Sequence, residues 1–504
     1  MESKLYLVKM HCYKQATSKQ LQRFPSTSQC GYDLSFLQSE PLRKEMATFI
    51  QARAEGHSIS TMYSEIFPYK QLCRFLNDKF PKAQSFSQFD TEKTLTSLKA
   101  WLLEHGYKIS GQKFRKDSGK YVATEVGAVA YLRKVLLYFS PKDNRLEVEK
   151  DTWELENLGI SLQMNPTKVV KTIDFSFISH ELMRTEAKRA ILLELSCKKV
   201  DTVKAELHSL KRFIRFLGNK YPEIRSFREL NRECIEEYLL YLKTEVRKKS
   251  FRTELIYLRT LIEEISKVFD SPDMQQLFLS SDIPRDRRVL YRYYSDSELK
   301  RLNREIVQMD EQIARALILH EMLGTRISDT LTLAVDCLFR KDGKPYIRID
   351  SVKGHQYSKP VSEDVAKLVT KAIQYTRKRY GETHYIFVKK DDTERPMTYS
   401  RIYYQIASMI HEKNLRDDNG NLFGVGTHMF RHNYGRKLTE MHVDDLTISK
   451  LLGHADMQTV SNYRRLSNER LAAESLEMRQ SMDTLLREII GGWEGYEQVR
   501  QNGG

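Results

Sequence analysis

The chain has 504 residues, long enough for about three domains. Hydrophobic residues make up 40% and charged residues 30%, which allows a core in each domain and excludes a disordered chain. Lys+Arg number 82 against 67 Asp+Glu, a formal net charge of +15 that points to a polyanionic partner, nucleic acid first.

The N-terminus, MESKLYLVKMHCYKQ, reads as no signal peptide, and no apolar run is long enough for a transmembrane helix. A repeat follows. Residues 69–101 align without a gap on 210–242, placing Arg74-Phe75-Leu76 on Arg215-Phe216-Leu217, Pro81 on Pro222 and Ser85-Phe86 on Ser226-Phe227. Tyr131-Leu132-Arg133 then matches Tyr257-Leu258-Arg259 at a shorter offset, so the first copy carries extra residues around 106–124. Apolar spacing of three to four makes both copies helical, and Pro81 and Pro222 end the first helix of each pair. Two tandem helical domains are expected, at 1–165 and 170–275. The second ends in a basic cluster, Lys243, Arg247, Lys248, Lys249, Arg252 and Arg259, that reads as a phosphate-contacting surface. In the first copy the extra stretch supplies Lys108, Lys113, Arg115, Lys116 and Lys120 instead.

A basic linker is expected at 276–294, with Arg285, Arg287 and Arg288 as further DNA-binding candidates. Ser295 and Glu298 form a capping box that opens a third, mixed domain at 295–470. Its expected elements are an apolar helix at 314–323, a strand at 345–351 returning at 356–361, helices at 365–380 and 398–412, a turn at Asn419-Gly420, and a helix from His428. A last helix, 470–490, lies mostly in a C-terminal segment at 471–504, where it packs on its own domain or docks on another protomer. The six cysteines, Cys12, Cys30, Cys73, Cys197, Cys234 and Cys337, contain no CxxC pair. They read as reduced and mostly buried, with neither a zinc ribbon nor a disulfide framework.

The chemistry concentrates in the third domain. Gly324-Thr325-Arg326-Ile327-Ser328-Asp329 closes the apolar helix. Lys353 and Lys359 sit in the hairpin, and the Lys-Gly at the first strand's end favours Lys353. His428 and Arg431 share a helix face at i, i+3. Then comes LLGHADMQTVSNYRRL, with Tyr463 nine residues after His454. This ordered set resembles the tyrosine recombinase (phage integrase) family, with GTRISD as its first-arginine box and all six active-site positions filled. The long N-terminal part resembles the transposases of the Tn554-like group.

The resemblance implies a mainly α fold with a small β-sheet in the catalytic domain, preceded by helical DNA-binding domains. It implies an enzyme that cleaves and rejoins DNA through a 3′-phosphotyrosyl bond and a Holliday junction, as a tetramer, without metal, ATP or other cofactor. Tyr463 is then the nucleophile, and Lys353 the acid that protonates the leaving 5′ oxygen. The residue types fit this chemistry. Arg326 and Arg431 suit the charge of a phosphodiester transition state. His428 suits a proton acceptor, and His454 a hydrogen-bond donor to a nonbridging oxygen. Asp329 reads equally as an orienter of a guanidinium or as a surface carboxylate. The implied partners are double-stranded DNA at element ends and target, further copies of the chain and element-encoded accessory proteins, with no membrane. The implied location is the cytoplasm, at the bacterial nucleoid. A catalytically silent DNA-binding relative and a type IB topoisomerase are the alternatives; the presence of Arg326, Arg431 and Tyr463 speaks against the first.

Overall fold

The computed structural model describes residues 3–23, 29–141, 143–246, 250–285, 292–424 and 426–453. Six expected site residues, Arg247, Lys248, Lys249, Arg287, Arg288 and His454, lie outside the described residues, as do Tyr463 and the expected C-terminal helix. The chain divides into two compact units that part between Arg145 and Leu146.

In the first unit a short antiparallel pair, β1 (Lys4–Tyr6) and β2 (Gly31–Asp33), precedes α1 (Glu40–Gly56), α2 (Ile59–Lys79) and α3 (Thr91–Glu104). A hairpin of β3 (Ser110–Arg115) and β4 (Lys120–Glu125) leads to α4 (Gly127–Phe139). The helices bury Phe49, Tyr69, Phe75, Leu98 and Leu132 in one core.

The second unit opens with the same plan. A strand pair, β5 (Thr152–Glu154) and β6 (Thr172–Asp174), precedes α5 (Glu181–Cys197), α6 (Val200–Lys220), α7 (Arg232–Thr244) and α8 (Arg252–Val268). β6, α5, α6 and α7 begin at the offset of the sequence repeat from β2, α1, α2 and α3. The repeat therefore starts well before the segment that aligns most clearly.

The matched Ser-Phe pairs have a physical reason. Glu45 accepts from the Ser85 hydroxyl (2.7 Å) and the Phe86 amide (2.7 Å). Glu186 does the same for Ser226 (2.6 Å) and Phe227 (2.8 Å). In each copy one carboxylate satisfies the donors of a tight turn that also buries a phenylalanine.

Two expected boundaries are corrected. The first domain does not extend to 165: Trp153 and Leu155 pack in the second core, with Ile173 across the ladder and Phe213, Tyr238 and Leu258 beside them. The extra residues of the first copy form β3–β4 within a mostly helical domain. The linker does not begin at 276: Met274, Leu277 and Phe278 are buried in the second core, and Arg232 grips Asp282 (Nη2 to Oδ1, 2.9 Å).

The rest of the second unit builds a separate core. Tyr294 is buried there, its backbone held by the Asn433 side chain at 2.9 and 3.1 Å. The Ser295–Glu298 capping box opens α9 (Asp296–Ile306) as expected. Next come α10 (Glu311–Leu323), the short α11 (Ile327–Leu331), and an antiparallel sheet of β7 (Leu338–Lys341), β8 (Lys344–Ile349) and β9 (Tyr357–Pro360). β7 gives no strand signal in the sequence, because Leu338-Phe339-Arg340-Lys341 does not alternate apolar with polar. Then follow α12 (Glu363–Tyr380), the small β10 (Val388–Lys389) and β11 (Asp392–Pro396) pair, α13 (Tyr399–Glu412), α14 (Thr427–Glu440) and α15 (Asp445–Leu452). Thr398 holds the N-cap position of α13, but its hydroxyl bonds Ser400 rather than the helix backbone. α10 is buried nearly all round, with Ile313, Leu317, His320 and Leu323 enclosed, as a helix at the centre of a domain should be. Among the described residues, no helix is long and apolar enough to cross a membrane.

Candidate active site

Two helices end against each other. α10 stops at Gly324 (φ +59°) and α15 at Gly453 (φ +62°), both in the left-handed region that closes helices. Each glycine is doubly required, because an added Cβ would lie 2.4 Å from the ring of Tyr434 at Gly324 and of Tyr357 at Gly453. The last carbonyls of both helices carry the negative ends of the helix dipoles. Three cations collect there.

Arg431, from the second turn of α14, spans the two ends: Nη1 donates to Gly324 O (3.0 Å) and Nη2 to Leu452 O (2.8 Å). It is 3% exposed. Lys359, on β9, repeats the bridge one residue earlier on each helix, donating to Leu323 O and to Leu451 O (3.2 Å). Its ammonium stands 4.7 Å from the Tyr434 ring centroid. Arg326, in the turn after α10, reaches Gly453 O at 3.4 Å and is the more exposed of the two arginines.

Asp329 settles between its two readings. It is buried, so the surface reading is corrected. Its ion pair with Arg326 is loose, at 3.8 Å. Its tighter bonds hold the β8–β9 turn: Val352 N donates to Oδ1 (3.0 Å) and Ser351 Oγ to Oδ2 (3.2 Å). Lys353 follows directly and is exposed, while Lys199 donates to Val352 O at 2.6 Å. The hairpin's two lysines thus separate: Lys353 at the surface of the site and Lys359 beneath it.

His428 lies in the first turn of α14. Burial, then the charges of Arg431, Lys353 and Arg326, hold its imidazole below the usual histidine range. At neutral pH it is an uncharged ring able to accept a proton. His432, one turn on and 6.1 Å away ring to ring, is held at about 4 by burial and then His428 and Arg431. Nothing in the sequence gives His432 a role.

Sequence reasoning misses His320 altogether. It is buried inside α10, with Nε2 bonding Thr427 O (2.9 Å) and Nδ1 meeting Thr330 Oγ1 (3.1 Å). A carbonyl only accepts, so the proton is assigned to Nε2. Burial first holds His320 at about 4. It ties the start of the His428 helix to the turn behind Arg326. A lone histidine in an apolar helix is its only signal.

These histidines set an acid dependence. Unfolded, they titrate near 6.5. Folded, they titrate lower, so the unfolded chain binds more protons between about 6.5 and 4 and stability falls as pH falls through that window. Urea unfolding of the catalytic domain's signal at pH 7 and pH 5 should show this loss. His320→Gln should flatten it, and an unchanged slope would contradict the buried neutral ring.

Among the DNA-binding candidates, Lys243 and Arg285 are exposed. Arg252 donates to Pro284 O (2.6 Å) and Arg259 pairs with Glu263 (3.2 Å), so these two serve contacts within the domain. The cysteines follow expectation in part: Cys12, Cys73, Cys234 and Cys337 are buried, whereas Cys197 is exposed.

Residues 293–470 match the model of the phage integrase family. Over 420 residues the chain is 26% identical to transposase B from transposon Tn554 of Staphylococcus aureus, covering 81% of this chain and 66% of the relative. The chain thus spans just under two thirds of the length of that relative. It is 26% identical over 215 residues to the tyrosine recombinase XerA of Pyrococcus furiosus, covering 42% of this chain and 68% of that one. A solved structure of the XerH site-specific recombinase bound to palindromic difH substrate matches with a TM-score of 0.43 and 17% identity, over 60% of this chain and 92% of that one.

Proposed function

We propose that the chain is a site-specific DNA recombinase of a mobile element, acting as its transposase or integrase. The observation that carries this reading is that Arg326 and Arg431 gather at the same pair of helix ends, Arg326 on Gly453 O (3.4 Å) and Arg431 on Gly324 O and Leu452 O (3.0 and 2.8 Å), with His428 one turn before Arg431. A scissile phosphate is the anion that such a cluster suits, and its transition state gathers further charge on the nonbridging oxygens. Arg326 and Arg431 hold those oxygens. Tyr463 attacks the phosphorus, passing its proton toward His428, and becomes joined to the 3′ phosphate. The 5′ oxygen leaves with a proton from Lys353, and His454 donates to a nonbridging oxygen. Attack by a 5′ hydroxyl reverses the step, so the bond energy is conserved and no ATP is consumed.

The helical domains grip double-stranded DNA, with Lys243, Arg285 and the neighbouring Arg247, Lys248, Lys249, Arg287 and Arg288 on phosphates. Four copies act together on two duplexes in the cytoplasm. Sequence similarity to transposase B from Tn554 supports the transposase role.

The test is covalent trapping. A duplex from an end of the encoding element, nicked beside the cleavage point, should yield a protein–DNA adduct stable in denaturant. Tyr463→Phe should abolish it. An adduct that survives the substitution would refute the nucleophile, and specific binding without any adduct would favour the silent relative.

A further inference from the structure

We infer that the β3–β4 hairpin of the first unit is a DNA-contacting ribbon that inserts into the major groove beside the recombination site. The inference rests on the recombinase reading above. The hairpin occupies the place where the two repeats part company. In the second unit α7 and α8 are joined by a short connection, whereas the first unit inserts a complete, in-register ladder from Ser110↔Glu125 to Arg115↔Lys120.

Strand alternation gives the ribbon two unlike sides. Lys113, Arg115 and Lys120 share one side, with Arg115 and Lys120 directly opposite each other. Phe114 and Tyr121 share the other, 48% and 68% exposed, their ring centroids 5.2 Å apart. Two large aromatic rings left in water on a basic ribbon mark a surface made for a partner. The hairpin's acidic groups each pair with an arginine, Asp117 with Arg115 (2.6 Å) and Glu125 with Arg133 of α4 (2.8 Å), so the ribbon's charge toward a partner rests on Lys113 and Lys120. Charge complementarity therefore favours a polyanion.

The dimensions suit a groove. A strand of this length reaches about 20 Å, and a ribbon measures about 10 Å through its side chains. The major groove is about 12 Å wide and admits a two-stranded ribbon. Entering by its tip, the hairpin sets Lys113 and Lys120 against the phosphates of one wall and the two rings against the sugars and bases of the other.

The test uses the full chain and two duplexes: an element end with its native flanks, and the same end trimmed to the cleavage region. K113A/K120A should weaken binding to the flanked duplex at least about tenfold and lower its salt slope by about 2, one for each phosphate no longer neutralised. F114A/Y121A should weaken it with little change in slope. Neither variant should alter binding to the trimmed duplex or adduct formation by Tyr463. Unchanged affinity and slope on the flanked duplex would overturn the inference. So would a loss of self-association in place of DNA affinity, which would make the ribbon a contact between copies. Adduct formation by the wild-type chain reports separately on the recombinase reading, which fails if no adduct forms even where the flanked duplex is bound through the ribbon.

Discussion

Replacing Arg431 with lysine is expected to lower the rate of strand cleavage by about 10²–10³-fold while specific DNA binding changes little. Lysine keeps the charge but not the planar fork. Arg431 needs that fork, because Gly324 O and Leu452 O belong to different helices and each takes a separate guanidinium nitrogen. Arg431→Ala goes further. It leaves both carbonyls without this donor in a buried setting, at about 1–3 kcal/mol each. Arg326→Ala should cost a similar factor in rate with little loss of stability, since that side chain is more exposed and makes one long bond to Gly453 O. Single-turnover cleavage on a nicked duplex and thermal unfolding, run on all three variants, check the pair. An equal stability loss in Arg326→Ala and Arg431→Ala would contradict the burial described.

Lys359→Met is expected to destabilise the catalytic domain by about 2 kcal/mol at neutral pH, and by more as pH rises. Methionine matches the stem but offers no donor to Leu323 O or Leu451 O. The loss is tempered near neutrality, because burial and the charge of Arg431 push the Lys359 amine down to about 7. An unfolded lysine titrates near 10.4. Between those values the unfolded chain binds the extra proton, so the wild-type domain gains stability from about pH 7 to pH 10. The variant lacks that gain. Urea midpoints of both proteins at pH 7 and pH 9 check it: the gap between them should widen at the higher pH. Equal midpoints at both would mean that the amine pins nothing.

Much of this is legible without coordinates because it rests on local rules. The end of α10 follows from the apolar run before Gly324, and the opening of α9 from Ser295 and Glu298. The tandem plan shows in gapless matches such as Ser85-Phe86 with Ser226-Phe227. The partners of those matches do not show. Glu45 and Glu186 act on turns some forty residues away, and neither carboxylate differs in sequence from a surface charge. The strand pair around Trp153 is hidden for the same reason. Its ladder joins segments separated by an irregular stretch, so the sequence puts the boundary too late.

The sequence by itself carries the order Arg326, Lys353, His428, Arg431, His454, Tyr463, and with it the resemblance that implies the proposed chemistry, because residue type and spacing along a helix or turn are local properties. Tertiary structure alone decided which cation does what. Arg326, Lys359 and Arg431 are alike on paper as positive side chains of one domain. Two helix C-termini, from α10 and α15, meet at the back of the site and draw in whichever cations the fold brings within reach. Arg431 and Lys359 are enclosed there against backbone carbonyls, while Lys353 is held outside by the grip of Asp329 on its turn. Burial is a property of the assembled neighbours, and those neighbours come from residues 320 to 453.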